Sequence, residues 1–302
     1  MGDDLKIPTF ETKDELFKFL KDNDSTLQKQ KKAGAKQADS VVFIADNNSA
    51  LEVTKAVGAS SNPDELKVKV VINTTNILDS HGDVHQVGIW NKSVKDNNSI
   101  LFLQEHRLAF DKIIADGDEL KVSVETFTWK ELGFNFNGNT QALVFEATIK
   151  RERNPEMFKQ YANGWVKEHS VGMRYMQLVL CVNSEKDYLG AEKEAWDKYI
   201  STVINKDLAE DKGWFYAVKE AKVIEGSAVP KGSNFATPTL EVGKEDSIPK
   251  HKTLKEYKSM MGELQDTIMQ LENKQKPPEG TSKINEPSED TQEKLKQFYL
   301  NS

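Results

Sequence analysis

Ser170 stands at the head of KEHSVGMRYMQL (167–178), between His169 and a small Val171–Gly172 step. A serine hydroxyl is a weak nucleophile until a neighbouring base takes its proton. Gly172 carries no Cβ, so a substrate carbonyl can approach the backbone there. His169 is the nearest imidazole, but adjacent side chains of an extended chain point to opposite faces. The base must then come from elsewhere in the sequence. His106 closes the apolar run ILFLQEH (100–106), where a rigid, partly desolvated imidazole suits general-base chemistry. Taken alone, a histidine in that setting can equally satisfy a backbone carbonyl.

A third group should fix the tautomer of the base and stabilise its charged form. Glu225 interrupts the apolar alternation of KVIEGSAVP (222–230), and a carboxylate desolvated there needs a partner. A structural ion pair to a Lys or Arg fits the same pattern, and Glu105 and Glu146 are weaker substitutes. Backbone amides of Val171–Gly172 or of the Lys231–Gly232 loop are the physically sensible oxyanion donors. A different chemistry is open to SHGDVH (80–85): His81, Asp83 and His85 have the donor types of a zinc or iron site. Against this, the segment reads as a Gly-Asp turn with no obvious fourth ligand.

These residues need elements to hold them. ELKVKVVIN is expected as a strand with Leu66, Val68, Val70 and Ile72 on one face. LKVSVETFTW (120–129) and ALVFEATIK (142–150) alternate similarly around the turn-rich GFNFNGN. RNPEMFKQYANG predicts a helix with Asn154 as N-cap, Pro155 in the first turn and Gly164 as stop. A strand from Ser170 to Val182 follows. Residues 183–213 break the β pattern, with Trp196, Tyr199, Ile200, Val203 and Ile204 at helical spacing. WFYAVKEAKVIEGSAVP (214–230) returns to strand and runs into the loop PKGSNFATP. The implied class is α+β, mainly β: an antiparallel sheet or barrel with helices packed around it.

Composition divides the chain into 1–62, an N-terminal extension; 63–243, the globular domain; and 244–302, a C-terminal segment. Thr12 and Glu15 have capping-box spacing ahead of Leu16, Phe19 and Leu20. Residues 22–39 read as a charged linker, and SVVFIAD (40–46) as a further strand. Leu254, Tyr257, Met261, Leu264, Ile268 and Leu271 form a heptad seam, followed by a linker of disordered composition. Across 302 residues the net charge is −7, which argues against broad nucleic-acid binding. Cys181 is the single cysteine, so a disulfide within the chain and a thiolate metal cluster are excluded. No apolar run is long enough to span a bilayer, and MGDDLKIPTF has neither signal-peptide character nor a myristoylation pattern.

The ordered set of these motifs resembles the prohead maturation protease family of tailed bacteriophages, itself similar to the herpesvirus assembly proteases. The resemblance covers about 70–240 and rests on four features in order. They are the Asp79-x-x-Gly82-Asp83 turn, His106 ending an apolar run, Ser170-x-Gly172, and Glu225-x-Ser227-x-Val229 before a small-residue loop. It implies a β-barrel with surrounding helices, His106 as base, Ser170 as nucleophile and Glu225 as third member. It further implies a serine endopeptidase that needs no cofactor and cuts scaffold and capsid-protein extensions, and itself, inside the assembling procapsid in the host cytoplasm. The expected partners are the major capsid protein and the scaffold protein, with a homodimer as a plausible switch, and neither membrane nor direct nucleic-acid contact. Two other readings stand beside it: an inactive capsid-assembly or scaffold protein retaining the fold, which the heptad seam favours, and a metal-dependent hydrolase built on His81, Asp83 and His85.

Overall fold

The computed structural model describes residues 7–33, 64–96 and 99–243. The expected strand at 40–46, the heptad seam and the C-terminal linker lie outside these residues. The fold is α+β with more strand than helix. Its first sheet has the order β5-β6-β1-β9, formed by β1 (Glu65–Thr74), β5 (Leu120–Thr128), β6 (Asn139–Lys150) and β9 (Thr239–Gly243). The second runs β2-β8-β3-β4, from β2 (Asp83–His85), β3 (Leu101–Gln104), β4 (Ile113–Ala115) and β8 (Trp214–Val229). A long β7 (Glu168–Val182) lies along the other edge of β8. Both sheets are open: among the described residues the strands close no barrel, where the sequence led us to expect one. Nor is the second sheet wholly antiparallel, since β2 and β3 both run parallel to β8.

Residue pattern accounts for the sheet-to-sheet core. Leu66, Val68, Val70 and Ile72 alternate along β1 and pack with Phe102, Phe145, Tyr161 and Val223 between the sheets. Val71, on the opposite face, joins Leu132, Ala142 and Val144 in a smaller cluster, so β1 is buried on both sides. Lys69, on the same face as Val71, pairs with Glu125 at 2.9 Å. Helix α3 (Pro155–Ala162) starts as its sequence predicts, with Asn154 Oδ1 accepting the Met157 amide at 3.0 Å and Pro155 in the first turn. It closes the bottom of the core with Met157, Phe158 and Tyr161.

Helix α1 (Lys13–Ala33) carries the expected Thr12–Glu15 capping box, with each backbone amide bonded to the other side chain at 3.3 Å. It does not stop where a charged linker was expected: residues 22–33 continue it. Phe17, Leu20, Leu27 and Lys31 recur on one buried face. The polar sequence hid this because Lys31 looks solvent-facing, whereas its ammonium meets buried Asp83 at 2.5 Å.

The inserted residues 183–213 hold α4 (Gly190–Tyr199) and α5 (Lys206–Lys212). They connect the distal ends of β7 and β8, where Val182 pairs Trp214. Trp196, Ile200, Val203 and Ala209 cover Cys181, Phe215 and Ala217 there. Ser170 lies at the other end of the ribbon, roughly 40 Å away at 3.3 Å per residue. The insertion therefore leaves the Ser170 strand and the Glu225 strand side by side. The remaining helix, α2 (Asn91–Asp96), packs on β8, and Ser93 Oγ accepts the Val223 amide at 2.8 Å. No described helix is long and apolar enough to cross a membrane.

Candidate active site

Strand register decides which side chains meet. In the antiparallel β7–β8 ladder Ser170 is opposite Ser227 and Gly172 is opposite Glu225. In the parallel β8–β3 pair, Leu103 is level with Ser227 and Gln104 with Ala228. Directly opposed residues share a face, and so do residues two apart. Ser170, Gly172, Glu225 and Ser227 consequently lie on one face, while His169, Gly226 and Phe102 lie on the other.

His106 reaches that face through an unusual turn. The strand ends at Gln104, and both Glu105 (φ 54°) and His106 (φ 56°) take the left-handed conformation. Non-glycine residues rarely adopt it, and such strain persists only where surrounding contacts hold it. Here the Glu105 amide donates to Ala228 O at 3.0 Å, and the His106 amide donates to Ser227 Oγ at 3.1 Å. The turn folds the imidazole back over β8. His106 Nδ1 lies 2.6 Å from Glu225 Oε1, and the Ser227 hydroxyl donates to Glu225 Oε2 at 2.6 Å.

Because the carboxylate accepts, Nδ1 carries the proton and Nε2 presents its lone pair. Nε2 is buried and has no hydrogen-bond partner among the described residues. The His106 and Glu225 side chains are only 9% and 8% exposed, so the pair is shielded from water. Ser170 is likewise buried, yet no hydrogen bond joins its hydroxyl to the imidazole in this structure. Opposed Cβ atoms of neighbouring strands lie about 4.5–5.5 Å apart, so Ser170 is one strand spacing from Ser227 and diagonal to Glu225.

Gly172 meets a requirement that its sequence did not announce. A Cβ built there would fall 1.9 Å from Glu225 Oε1. The glycine makes room for the carboxylate. Gly232 also departs from expectation as an oxyanion donor: its amide donates to Glu168 Oε2 at 2.8 Å. The loop crosses β7 so closely that a Cβ at Gly232 would sit 2.6 Å from His169 O. Lys231, next to it, is exposed, and Val171 is buried opposite Gly226.

His169 belongs to the core. Its Nδ1–H donates to Thr237 O at 2.9 Å, so Nε2 accepts from the Tyr161 hydroxyl at 2.9 Å. Burial pushes its pKa down to about 4, only partly opposed by the Thr237 carbonyl. The weaker carboxylate candidates are elsewhere: Glu105 is exposed, and Glu146 faces Lys121 at 3.0 Å on the first sheet.

The SHGDVH side chains are committed to another network. Asp83 Oδ1 pairs with Lys31, and Asp83 Oδ2 accepts from the Tyr175 hydroxyl at 3.0 Å. Tyr175 is also 3.1 Å from His85 Nε2. Asp79 Oδ1 accepts the backbone amides of His81 and Asp83, each at 2.9 Å, as a turn-forming aspartate does. Among the described residues no three His, Cys, Asp or Glu side chains are grouped to hold a metal ion.

Three contributors carried no clear signal in sequence. Ser227 was visible only as part of a motif, yet it fastens both Glu225 and the His106 turn. Asn234 ties the 230–238 loop to β1, with its Nδ2 donating to Asn73 Oδ1 at 2.7 Å and Thr74 O at 3.0 Å. Glu168 anchors Gly232 in the same loop. Such partners are set by crossings between distant segments, and no spacing rule reports them. Compared with known proteins, the chain matches no family model, no curated protein sequence and no solved structure.

Proposed function

We propose that this protein is a serine endopeptidase of the prohead-maturation kind, with Ser170 as nucleophile, His106 as general base and Glu225 as the group that orients and stabilises the imidazole. The observation that carries the reading is the buried Glu225–His106 pair with its basic Nε2 unpartnered, on the same sheet face as Ser170. In the reaction Nε2 takes the Ser170 proton as Oγ attacks the scissile carbonyl. The imidazolium, stabilised by Glu225, then protonates the departing amine, and water repeats the sequence on the acyl-enzyme. Approach of Oγ to Nε2 is the step the reading requires, and such contacts commonly tighten only with substrate bound. The ordered motifs further support scaffold and capsid-protein extensions, and the chain itself, as substrates within a procapsid.

Mass spectrometry of the purified chain tests this. The parent protein shortens itself or a co-expressed capsid extension, while Ser170→Ala and His106→Ala lose at least about 1,000-fold in rate, as triad members act as a unit. Processing of Ser170→Ala at the parental rate removes the proposal. The competing reading, an inactive assembly or scaffold protein, is favoured by the missing Ser170–His106 hydrogen bond. It predicts co-assembly with capsid subunits and no peptide-bond cleavage in the parent protein.

A further inference from the structure

A cleft of about 410 Å³ opens between the ends of β3 and β8 and helix α3, and Glu105, the residue before His106, lines it. Its position follows from the turn that aims the imidazole. The consecutive left-handed residues send His106 over the sheet face and leave Glu105, one residue earlier, at the cleft rim. Apolar walls come from Met157, Pro230 and the indole of Trp165, which is 56% exposed although large aromatic surfaces are usually covered. Polar groups converge on the same space. Glu105 and Glu156 both line it, and among the described residues no lysine or arginine does. Glu156 Oε1 accepts from Gln160 Nε2 at 2.7 Å, which leaves its second oxygen available. Gln104 also lines the cleft, while its side-chain oxygen is buried beneath the surface without a hydrogen-bond partner among the described residues. Every one of these acceptors asks for a donor, and the carboxylates ask for a positive one.

We infer that this cleft is a recognition subsite for a lysine or arginine side chain of a peptide substrate, close in sequence to the bond presented to Ser170. The inference rests on the peptidase reading for its substrate. A basic side chain combines an apolar stem with a charged, donor-only head. The stem lies along Trp165, Met157 and Pro230, and the ammonium or guanidinium sits over the indole while reaching Glu105 and Glu156. An acidic side chain meets two like charges, and a plain aliphatic one leaves the polar rim unpaired, so both are disfavoured.

Binding and cutting are measured separately. Fluorescein-labelled alanine-based peptides that differ at one central residue (Lys, Arg, norleucine or Glu) are titrated by anisotropy against the Ser170→Ala protein. The Lys and Arg peptides bind at least about tenfold more tightly than the norleucine and Glu peptides, a gap of about 1.4 kcal/mol. That preference disappears in Glu105→Gln/Glu156→Gln and turns toward the Glu peptide in Glu105→Lys/Glu156→Lys. Equal binding of all four peptides, no binding of any, or a basic preference that survives the double glutamine change overturns the inference. Cleavage of the same peptides by the Ser170 protein reads the peptidase proposal independently. Charge-dependent binding without cleavage removes the reaction and keeps the cleft. Cleavage without charge dependence does the reverse.

Discussion

At the scale of single residues, the site depends on small groups that create space or fix an angle. Gly172 is the sharpest case. A methyl group there overlaps the Glu225 carboxylate, whose oxygens are already held by His106 and Ser227. Gly172→Ala therefore displaces Glu225 and leaves His106 without its orienting partner. On the peptidase reading, the expected loss is at least about 100-fold in kcat, since a wrongly held imidazole tautomer is costly. Gly172→Ala combined with Glu225→Ala should be no worse than Glu225→Ala alone, because both changes remove the same interaction. Turnover of a peptide substrate by the three variants, with circular dichroism as a folding control, checks this; additive losses would show that Gly172 acts through something else.

Elements carry the next level of organisation. Helix α1 is fastened to the sheet by apolar contacts from Phe17, Leu20 and Leu27 and by the Lys31–Asp83 pair at its C-terminal end. Tyr216 adds a hydrogen bond to Asp24 at 3.0 Å along the way. Removing one member of a buried pair leaves an uncompensated charge and typically costs about 3–5 kcal/mol. Lys31→Met should lower stability by about that amount, because the Asp83 carboxylate stays buried without the ammonium that met Oδ1, and the Tyr175 hydroxyl on Oδ2 is neutral. Lys31→Met/Asp83→Asn should recover much of the loss. Urea unfolding of the parent and both variants measures it. A single variant within about 0.5 kcal/mol of the parent would mean that the helix is not secured by this pair.

For the whole molecule, the buried imidazoles set how stability responds to acid. His169 is held neutral in the core, with its pKa lowered by burial from 6.5 to about 4. The unfolded chain takes up a proton near 6.5 that the folded chain refuses until about pH 4. Its full contribution is thus present above pH 6.5 and is lost progressively as the pH falls toward 4, by about 3 kcal/mol. Burial lowers the pKa of His85 in the same direction. The denaturation midpoint of the parent should therefore fall between pH 7 and 4.5 more steeply than that of His169→Gln. Parallel midpoint-versus-pH curves for the two proteins would remove His169 as a source of the acid sensitivity.

Much of this arrangement is legible along the chain because it is local. Period-two alternation marks β1, β6 and β8, the Asn154-Pro155 start marks α3, and the Thr12–Glu15 box marks the start of α1. Apolar strand ends likewise mark Ser170 and Glu225 as polar residues needing partners. What spacing cannot report is which strand lies beside which, and in what register. The 3.6-residue period of α1 was masked because one of its buried positions is a lysine, whose partner Asp83 is supplied from across the fold. The left-handed Glu105–His106 turn, the hydroxyl of Ser227 between two chain segments and the open sheets all arise from long-range pairing. Local sequence thus determined the pieces and their chemical types, because propensity and periodicity act over a few residues. Tertiary structure alone decided that Gly172 serves Glu225, because that depends on a strand register that places the Glu225 carboxylate where a side chain at residue 172 would begin.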